Sequence, residues 1–332
     1  MNLALLFRAR LNAGDYIINR RTAELLKKYT PMKKCKAYKG WKKIHNVAHL
    51  NKHFDGICIC GGPALYPYFH SPKIYPLVDD IRQIKIPIYV IGVGLGVYFN
   101  KINGYAFTRK SLNTLKYISK YAPISVRDEY AYTVLKRNNI PVVFTGCPVL
   151  HYMDEKPTYR KTVKKIAFTP LTNIQNVNRN ILIKQNNMLI HEIMRTFPDA
   201  KVTVVEHRGA ETKVKGGHAH INISGNSLKI KVYKDYDMHI GFRLHGHLYF
   251  LSMHKPSYLI TFDIRMKGMS ASMKTDKSDR YYKHIMKGND MKVWLSNIVS
   301  QSKNGFLQFN DVYKNIEERK KVMIEFLKEN IK

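Results

Sequence analysis

Short, unbroken apolar runs recur along this chain, with amphipathic stretches between them. The runs are Ala4–Phe7, Gly56–Cys60, Ile86–Ile91, Ile124–Val126, Val142–Thr145, Ile166–Thr169, Val202–Val205, Met238–Ile240 and Ser257–Thr261. A strand of a parallel sheet covered on both faces reads this way, because neither face meets water. Helical patterns fill the gaps: Ile17, Ile18, Ala23, Leu25 and Leu26 after Gly14–Asp15, then Tyr105–Tyr121, Asp128 to Asn138, Asn180–Phe197, Leu244–Met253 and Val312–Ile331. Strand–helix alternation of this kind predicts an α/β fold with doubly wound sheets.

The chain has 332 residues, enough for two such units of roughly 150 residues each. After Pro148 the apolar pattern weakens and charge rises, which places a linker at 151–163. The expected organisation is a Rossmann-like domain over 1–155, a second over 156–310 and an amphipathic helix over 311–332, with a cleft between the domains. Ligands are then expected outside the carboxyl ends of the strands.

Lys and Arg number 56 against 24 Asp and Glu, a formal net charge of +32. Ordinary apolar content argues that the excess sits on a folded body, so partners should be anionic. Cys35, Cys58, Cys60 and Cys147 are too few for a disulfide scaffold and suit a reducing compartment. No stretch approaches the ~20 apolar residues of a membrane span. The opening MNLALLFRAR lacks the pattern of a signal peptide. A cytoplasmic protein is expected.

Chemistry-bearing residues concentrate where runs end. Gly241-Phe-Arg243-Leu-His245-Gly-His247 follows one strand and opens a helix. Such a junction suits an anion, since unpaired N–H groups point outward. Arg243 adds bidentate charge, and His245 a group that can move a proton near neutral pH. Arg127 stands at another strand end, with Asp128 as a helix N-terminal charge or ion-pair partner. Arg265 and Lys267 follow Ser257–Thr261, and Arg208 follows Val202–Val205. Convergence of these cations on one edge is what an anionic substrate requires. A zinc site at His245 and His247 is disfavoured, because residues two apart on a helix face apart and no acid or thiol lies at ligand spacing. No metal is expected.

Gly92-Val-Gly94-Leu-Gly96 is not a dinucleotide fingerprint, and residues 97–127 contain no acid to meet a ribose. No P-loop pattern occurs. Gly61, Gly62, Gly92 and Gly94 are read instead as places where backbone approaches a ligand or neighbouring loop. Cys58 and Cys60 fall on one side of a strand and read as core.

The order of these motifs resembles the polysaccharide pyruvyl transferase family. Asn12-Ala-Gly14-Asp15, Cys60-Gly61-Gly62, Ile91-Gly92-Val-Gly94, Val126-Arg127-Asp128, Thr145-Gly146-Cys147-Pro148, Arg243-Leu-His245-Gly246 and Phe262-Asp263-Ile-Arg265 carry the resemblance, over roughly residues 5–270. It implies a fold like the GT-B glycosyltransferases and transfer of pyruvate from phosphoenolpyruvate to sugar hydroxyls as a ketal, with no cofactor. The family's donor-binding positions fall on Arg127, His245 and Arg265. The family often has Tyr-Asp-x-Lys where Phe262-Asp263-Ile-Arg265 stands, and Asp at Cys147.

The combined expectation is that Arg127, Arg243, Arg265, Lys267 and Arg208 hold phosphoenolpyruvate. His245 and Arg127 would act on it, and His245 would move a proton. Gly14, Asp15, Gly61, Gly62, Gly92 and Gly94 would line the cleft. The acceptor would be a sugar or lipid-linked saccharide. A nucleotide-sugar glycosyltransferase of the same fold is the enzyme alternative. A basic nucleic-acid binder is the other, weakened because no helix-turn-helix, zinc-finger or RRM signature appears. From Lys27 to Lys52 there are nine Lys and no acid. That stretch suits peripheral contact with an anionic membrane.

Overall fold

The structure is a computed structural model that describes every residue except 73, 97–101, 152–161, 173–176, 210–213 and 287–288. Most of the expected linker at 151–163 lies outside the described residues. The first half comprises β1 (Asn2–Phe7), α1 (Ala13–Tyr29), β2 (Lys34–Lys39), α2 (Val47–His53), β3 (Gly56–Leu65), β4 (Ile88–Leu95), α3 (Arg109–Ile118), β5 (Ile124–Val126), α4 (Glu129–Lys136) and β6 (Val142–Phe144). The second comprises β7 (Lys165–Thr169), α5 (Arg179–Thr196), β8 (Lys201–Glu206), β9 (Ala219–Asn222), β10 (Met238–Gly241), α6 (Leu244–Ser252), β11 (Ser257–Thr261), α7 (Ile264–Met273), β12 (Arg280–Tyr281), α8 (Tyr282–Ile285), α9 (Asn289–Lys303) and α10 (Asn310–Asn330).

Two six-stranded sheets result, in the orders β2-β1-β3-β4-β5-β6 and β12-β11-β10-β7-β8-β9. Every strand pairing among the described residues is parallel. This is the expected doubly wound α/β architecture. In the first sheet the chain steps from β1 out to β2 and returns on the other side as β3. In the second it runs β7-β8-β9 one way and β10-β11-β12 the other. Each sheet therefore has a switch point, between β1 and β3 and between β7 and β10, where a crevice opens at the carboxyl ends.

The apolar runs are unbroken because both faces are covered. In β1, Ala4 and Leu6 face one core with Ile57, Ile59, Val90, Leu115 and Val134. Leu3 and Leu5 face another with Cys58, Ile91, Leu25 and Leu26. The second sheet packs Ile166, Phe168, Val204 and Ile240 against Leu189, Ile193, Leu248 and Trp294. Two helices serve both halves. Ile17 and Ile18 of α1 enter the second core, and Ala13 N donates to His207 O at 2.9 Å. From α10, Asn315 Nδ2 donates to Ser272 O at 2.7 Å, while Met323, Phe326, Leu327 and Ile331 join the first half's core.

The structure alters several sequence boundaries. Strands β3 and β4 run on through Gly61, Gly62, Gly92 and Gly94 rather than stopping before them, because the ladder continues as Gly62↔Val93 and Pro63↔Gly94 before its register shifts. Gly61, Gly62 and Gly92 have φ of 49°, 77° and 60°, a left-handed conformation that glycine adopts without steric cost. Helix α1 begins at Ala13, so Gly14 and Asp15 form its first turn instead of preceding it. Strands β2, β9 and β12 and helices α2, α7, α8 and α9 had no reading from sequence. In β2, Lys34, Lys36 and Lys39 are exposed, as befits an edge strand whose charges discourage pairing with another sheet.

Candidate functional site

The carboxyl ends of β7 and β10 build the crevice of the second sheet. Thr169 Oγ1 accepts from Phe242 N at 3.1 Å and Arg243 N at 3.2 Å. The Arg243 side chain reaches back to Thr172 Oγ1, 2.5 Å from its Nη2. Arg243 occupies the N-cap position of α6 with extended backbone, and no side chain caps that helix. The neighbouring helices differ. Asp128 caps α4 by accepting from Ala131 N at 2.9 Å. Asp263 caps α7 by accepting from Arg265 N at 2.9 Å and Met266 N at 3.2 Å. Of these three N-termini, α6 is the one left without its own carboxylate, and so the one suited to a ligand's negative charge.

Arg127 arrives from the first sheet, just past β5. Its side chain is 1% exposed, with Nε 3.3 Å from Asp128 Oδ2. Its Nη1 and Nη2 are buried and have no hydrogen-bond partner. A buried guanidinium with two unused nitrogens is costly unless something anionic meets it. Gly94 makes the placement feasible, since a Cβ there would overlap Nε and stand 2.8 Å from Cζ. Arg265, in the first turn of α7, is oriented by its own capping residue, with Nε donating to Asp263 Oδ2 at 3.1 Å.

His245 lies among these three arginines. Its Nε2 is buried without a partner, and its Nδ1 side abuts Gly14 of the first half. Its pKa is pushed down to about 3, first by burial and then by the charges of Arg127, Arg265 and Arg243. The sequence suggested an imidazole titrating near neutral pH. The structure holds it neutral instead, because burial and three guanidinium groups all oppose a further positive charge.

The other sequence candidates divide. Arg208 is exposed and acts electrostatically on Asp15. Lys267 Nζ lies over the Tyr281 ring, 4.1 Å from its centroid. Asp15, Gly61 and Gly62 line a cavity of about 150 Å³ at the switch point of the first sheet, together with Arg8, Asn19 and Tyr66. Gly92 serves the scaffold: its N donates to Ser125 Oγ at 2.8 Å, and Pro148 packs where a Cβ would be. Cys147 is buried and its thiol is pushed up to about 11, mainly by burial, which makes it a poor nucleophile. Burial also pushes Cys58 and Cys60 up, Cys60 to about 12, and both sit in the core as expected. His247 turns away from His245, with Nδ1 2.9 Å from Ser257 Oγ. Among the described residues, no group of three or more His, Cys, Asp or Glu could hold a metal ion. No helix among them is long and apolar enough to cross a membrane.

Arg8 escaped the sequence reading, and so did the surroundings of His207, which the sequence placed only at a strand end in Glu206-His207-Arg208-Gly209. Arg8 follows β1 directly, and a cation at a strand's carboxyl end was the available signal. His207 pairs through Nε2 with Tyr233 OH at 2.6 Å. Burial and then Arg243 drive its pKa well below the usual value, which only the three-dimensional neighbourhood reveals.

Two doubly wound sheets meeting at a cationic cleft define a GT-B-like α/β protein, the class of several solved structures. The UDP-GlcNAc 2-epimerase from Neisseria meningitidis bound to UDP-GlcNAc is similar at a TM-score of 0.59 and 11% identity, covering 98% of this chain and 99% of that one. The Methanocaldococcus jannaschii UDP-GlcNAc 2-epimerase is similar at 0.53 and 11%, covering 96% and 99%. The wall teichoic acid polymerase TagF is similar at 0.51 and 10%, covering 99% and 89%. The family itself is set by sequence: the profile of polysaccharide pyruvyl transferases matches residues 12–263. The chain belongs to the polysaccharide pyruvyl transferase family, and is a transferase of polysaccharide modification. Among curated proteins, none matches the chain in sequence.

Proposed function

We infer that this protein transfers pyruvate from phosphoenolpyruvate to two hydroxyls of a sugar, forming a ketal and releasing phosphate. The observation that carries the reading is the neutral imidazole of His245 among Arg127, Arg243 and Arg265, with both terminal nitrogens of Arg127 buried and unpartnered. A donor bearing a phosphate and a carboxylate matches that charge. Each charge-assisted contact would contribute about 1.5–3 kcal/mol. The α6 N-terminus adds N–H groups to the same anion.

In this scheme the bound donor offsets the guanidinium charges and so raises the proton affinity of His245. The imidazole then protonates the methylene carbon of phosphoenolpyruvate, leaving an oxocarbenium-like centre at the adjacent carbon. A sugar hydroxyl attacks that carbon and loses its proton. The carbon–oxygen bond to phosphate breaks, and a second hydroxyl closes the ketal. One of the two hydroxyl protons balances the new methyl group, and the other leaves with phosphate. No cofactor or metal enters the scheme.

The acceptor is proposed to be a sugar or a lipid-linked saccharide. The exposed lysines of β2 and its flanks would hold the enzyme peripherally at the cytoplasmic face of an anionic membrane. Sedimentation with phosphatidylglycerol vesicles at low salt tests this contact, and no co-sedimentation would remove it. The reaction is tested by incubating the enzyme with phosphoenolpyruvate and a panel of sugars while following phosphate release and product mass. A product 70 Da heavier than its acceptor, ~70 Da being the pyruvate ketal increment fixed by the balanced equation, is expected. Tight uridine nucleotide binding without phosphoenolpyruvate-dependent phosphate release would instead favour a glycosyltransferase.

A further inference from the structure

The switch point of the first sheet carries a second polar crevice, and the donor site does not use it. Asp15, Arg8, Asn19, Tyr66, Gly61 and Gly62 line it. Its carboxylate stands on the first turn of α1, and Asn12 hydrogen-bonds to it and caps the same helix. Arg8 is itself held over the Tyr75 ring, 5.3 Å from its centroid. Gly96 lets Tyr66 lie against the end of β4, since a Cβ there would overlap the ring. A carboxylate, an amide, a guanidinium and an aromatic ring around a small cavity are groups that bind a sugar's hydroxyls and its apolar face.

The crevice adjoins the donor site. Gly14 touches the His245 imidazole, and Asp15 is the next residue on the same helical turn. Arg265 of the donor cluster and Arg208 both act electrostatically on Asp15. A molecule in the crevice would thus present its hydroxyls between Asp15 and the donor carbon.

We propose that this crevice is the acceptor-sugar subsite, and that Asp15 is the catalytic base that takes the proton of the attacking hydroxyl. The assignment rests on the donor reading above. In the balanced reaction, the hydroxyl oxygen forms a bond to the central carbon of the protonated donor while its proton passes to Asp15 Oδ. The carbon–oxygen bond to phosphate then breaks, and the proton leaves with phosphate. Burial raises the pKa of Asp15 even though Asn12, Arg265, Arg208 and Arg8 oppose the rise. A carboxylate of raised basicity suits the role.

The test uses the full chain and two variants, Asp15→Asn and Asn19→Ala. Phosphoenolpyruvate binding is measured by calorimetry, and phosphate release is followed with glucose, galactose, mannose and N-acetylglucosamine glycosides as acceptor probes. Asp15→Asn is expected to bind phosphoenolpyruvate within about twofold of wild type and to lose roughly 10²–10⁴ in acceptor-dependent turnover. Asn19→Ala is expected to raise the acceptor KM about tenfold with kcat nearly kept. Wild-type turnover in Asp15→Asn, or an unchanged acceptor KM in Asn19→Ala, would overturn the subsite while leaving the donor reading intact. Loss of phosphoenolpyruvate binding in Asp15→Asn would place the residue in the donor site and also overturn it. If wild type binds no phosphoenolpyruvate, the donor reading fails first, and the subsite with it.

Discussion

Gly14 of the first half and His245 of the second meet so closely that a Cβ on Gly14 would overlap Nδ1 and stand 2.9 Å from Cγ. The imidazole is positioned across the cleft by a residue that has no side chain to give. Gly14→Ala should therefore displace the imidazole without altering any charge. The expected outcome is a loss in kcat of about 10²-fold or more, the scale set by a misplacement near 1 Å. A destabilisation of about 1–3 kcal/mol from overpacking would accompany it. Steady-state kinetics and urea unfolding check the two effects separately. A variant that keeps wild-type kcat would show that His245 is not tied to this contact.

Gly94 stands to Arg127 as Gly14 does to His245. Gly94→Ala should push the guanidinium aside and raise the phosphoenolpyruvate requirement, although every cation is retained. Arg127→Ala should raise it too, and should also destabilise the fold. Asp128 would be left as a buried carboxylate without its cation, at a cost of about 3–5 kcal/mol. Donor affinity measured beside thermal unfolding separates the two variants. Equal stability loss in both would contradict the argument.

Donor binding should draw a proton onto the protein. The pKa of His245 is lowered to about 3, first by burial and then by the charges of Arg127, Arg265 and Arg243, and the arriving anion offsets those charges. Near pH 7 the binding enthalpy of phosphoenolpyruvate should then vary with the ionisation enthalpy of the buffer, in the sense of uptake. His245→Ala should abolish the dependence and lower turnover by roughly 10²–10⁴. Buffer-independent enthalpy in wild type would refute the proton's route through His245.

Acid should weaken the fold through its buried histidines. His151, His245 and His247 are each lowered to about 3, and His207 and His239 fall well below their usual value, with burial the leading cause in all five. Above about pH 6.5 these groups are neutral folded and unfolded alike. Below it the unfolded chain takes up protons that the folded one refuses, down to about pH 3 for His151, His245 and His247, so stability drains as pH falls through that range. Each group contributes at most about 1.4 kcal/mol per pH unit. His247 is the clean case, since burial alone shifts it. His247→Asn, which can keep the bond to Ser257, should lose less stability between pH 7.5 and pH 5 than wild type in urea titrations. An identical loss would mean that His247 is not held neutral.

The central strands were legible because burial on both faces leaves a plain signature: Ile124–Val126 and Ser257–Thr261 match β5 and β11 residue for residue. Strand β2 was not, because Lys34-Cys-Lys-Ala-Tyr-Lys39 lies at an edge where solvent admits charge. Helix α7 was missed because Gly268, Ser270 and Ser272 interrupt its apolar pattern. They do so for packing: Gly268 accommodates the Tyr130 ring, and Ser272 Oγ accepts from Glu129 N at 2.9 Å. At the site, Arg127, Arg243, His245 and Arg265 were nameable from strand ends alone. Their mutual charge was not, because the neutrality of His245 depends on residues as far away in the chain as Arg127, 118 positions before it, meeting at one point. The reason for Gly14 and Gly94 was equally hidden, since a glycine's neighbours across space leave no mark in its own sequence surroundings.

The last helix gives the cleft a mechanical character. Because α10 engages Ser272 in the second half and ends among Leu3, Leu25 and Tyr89 of the first, the polypeptide passes between the halves twice. A single crossing would act as a ball joint, free to swing and twist. A second crossing, packed along α10, removes freedom that a single one would leave. The contact of Gly14 with His245, and with it the register between the two crevices, is then a property of the packed chain rather than of the substrates.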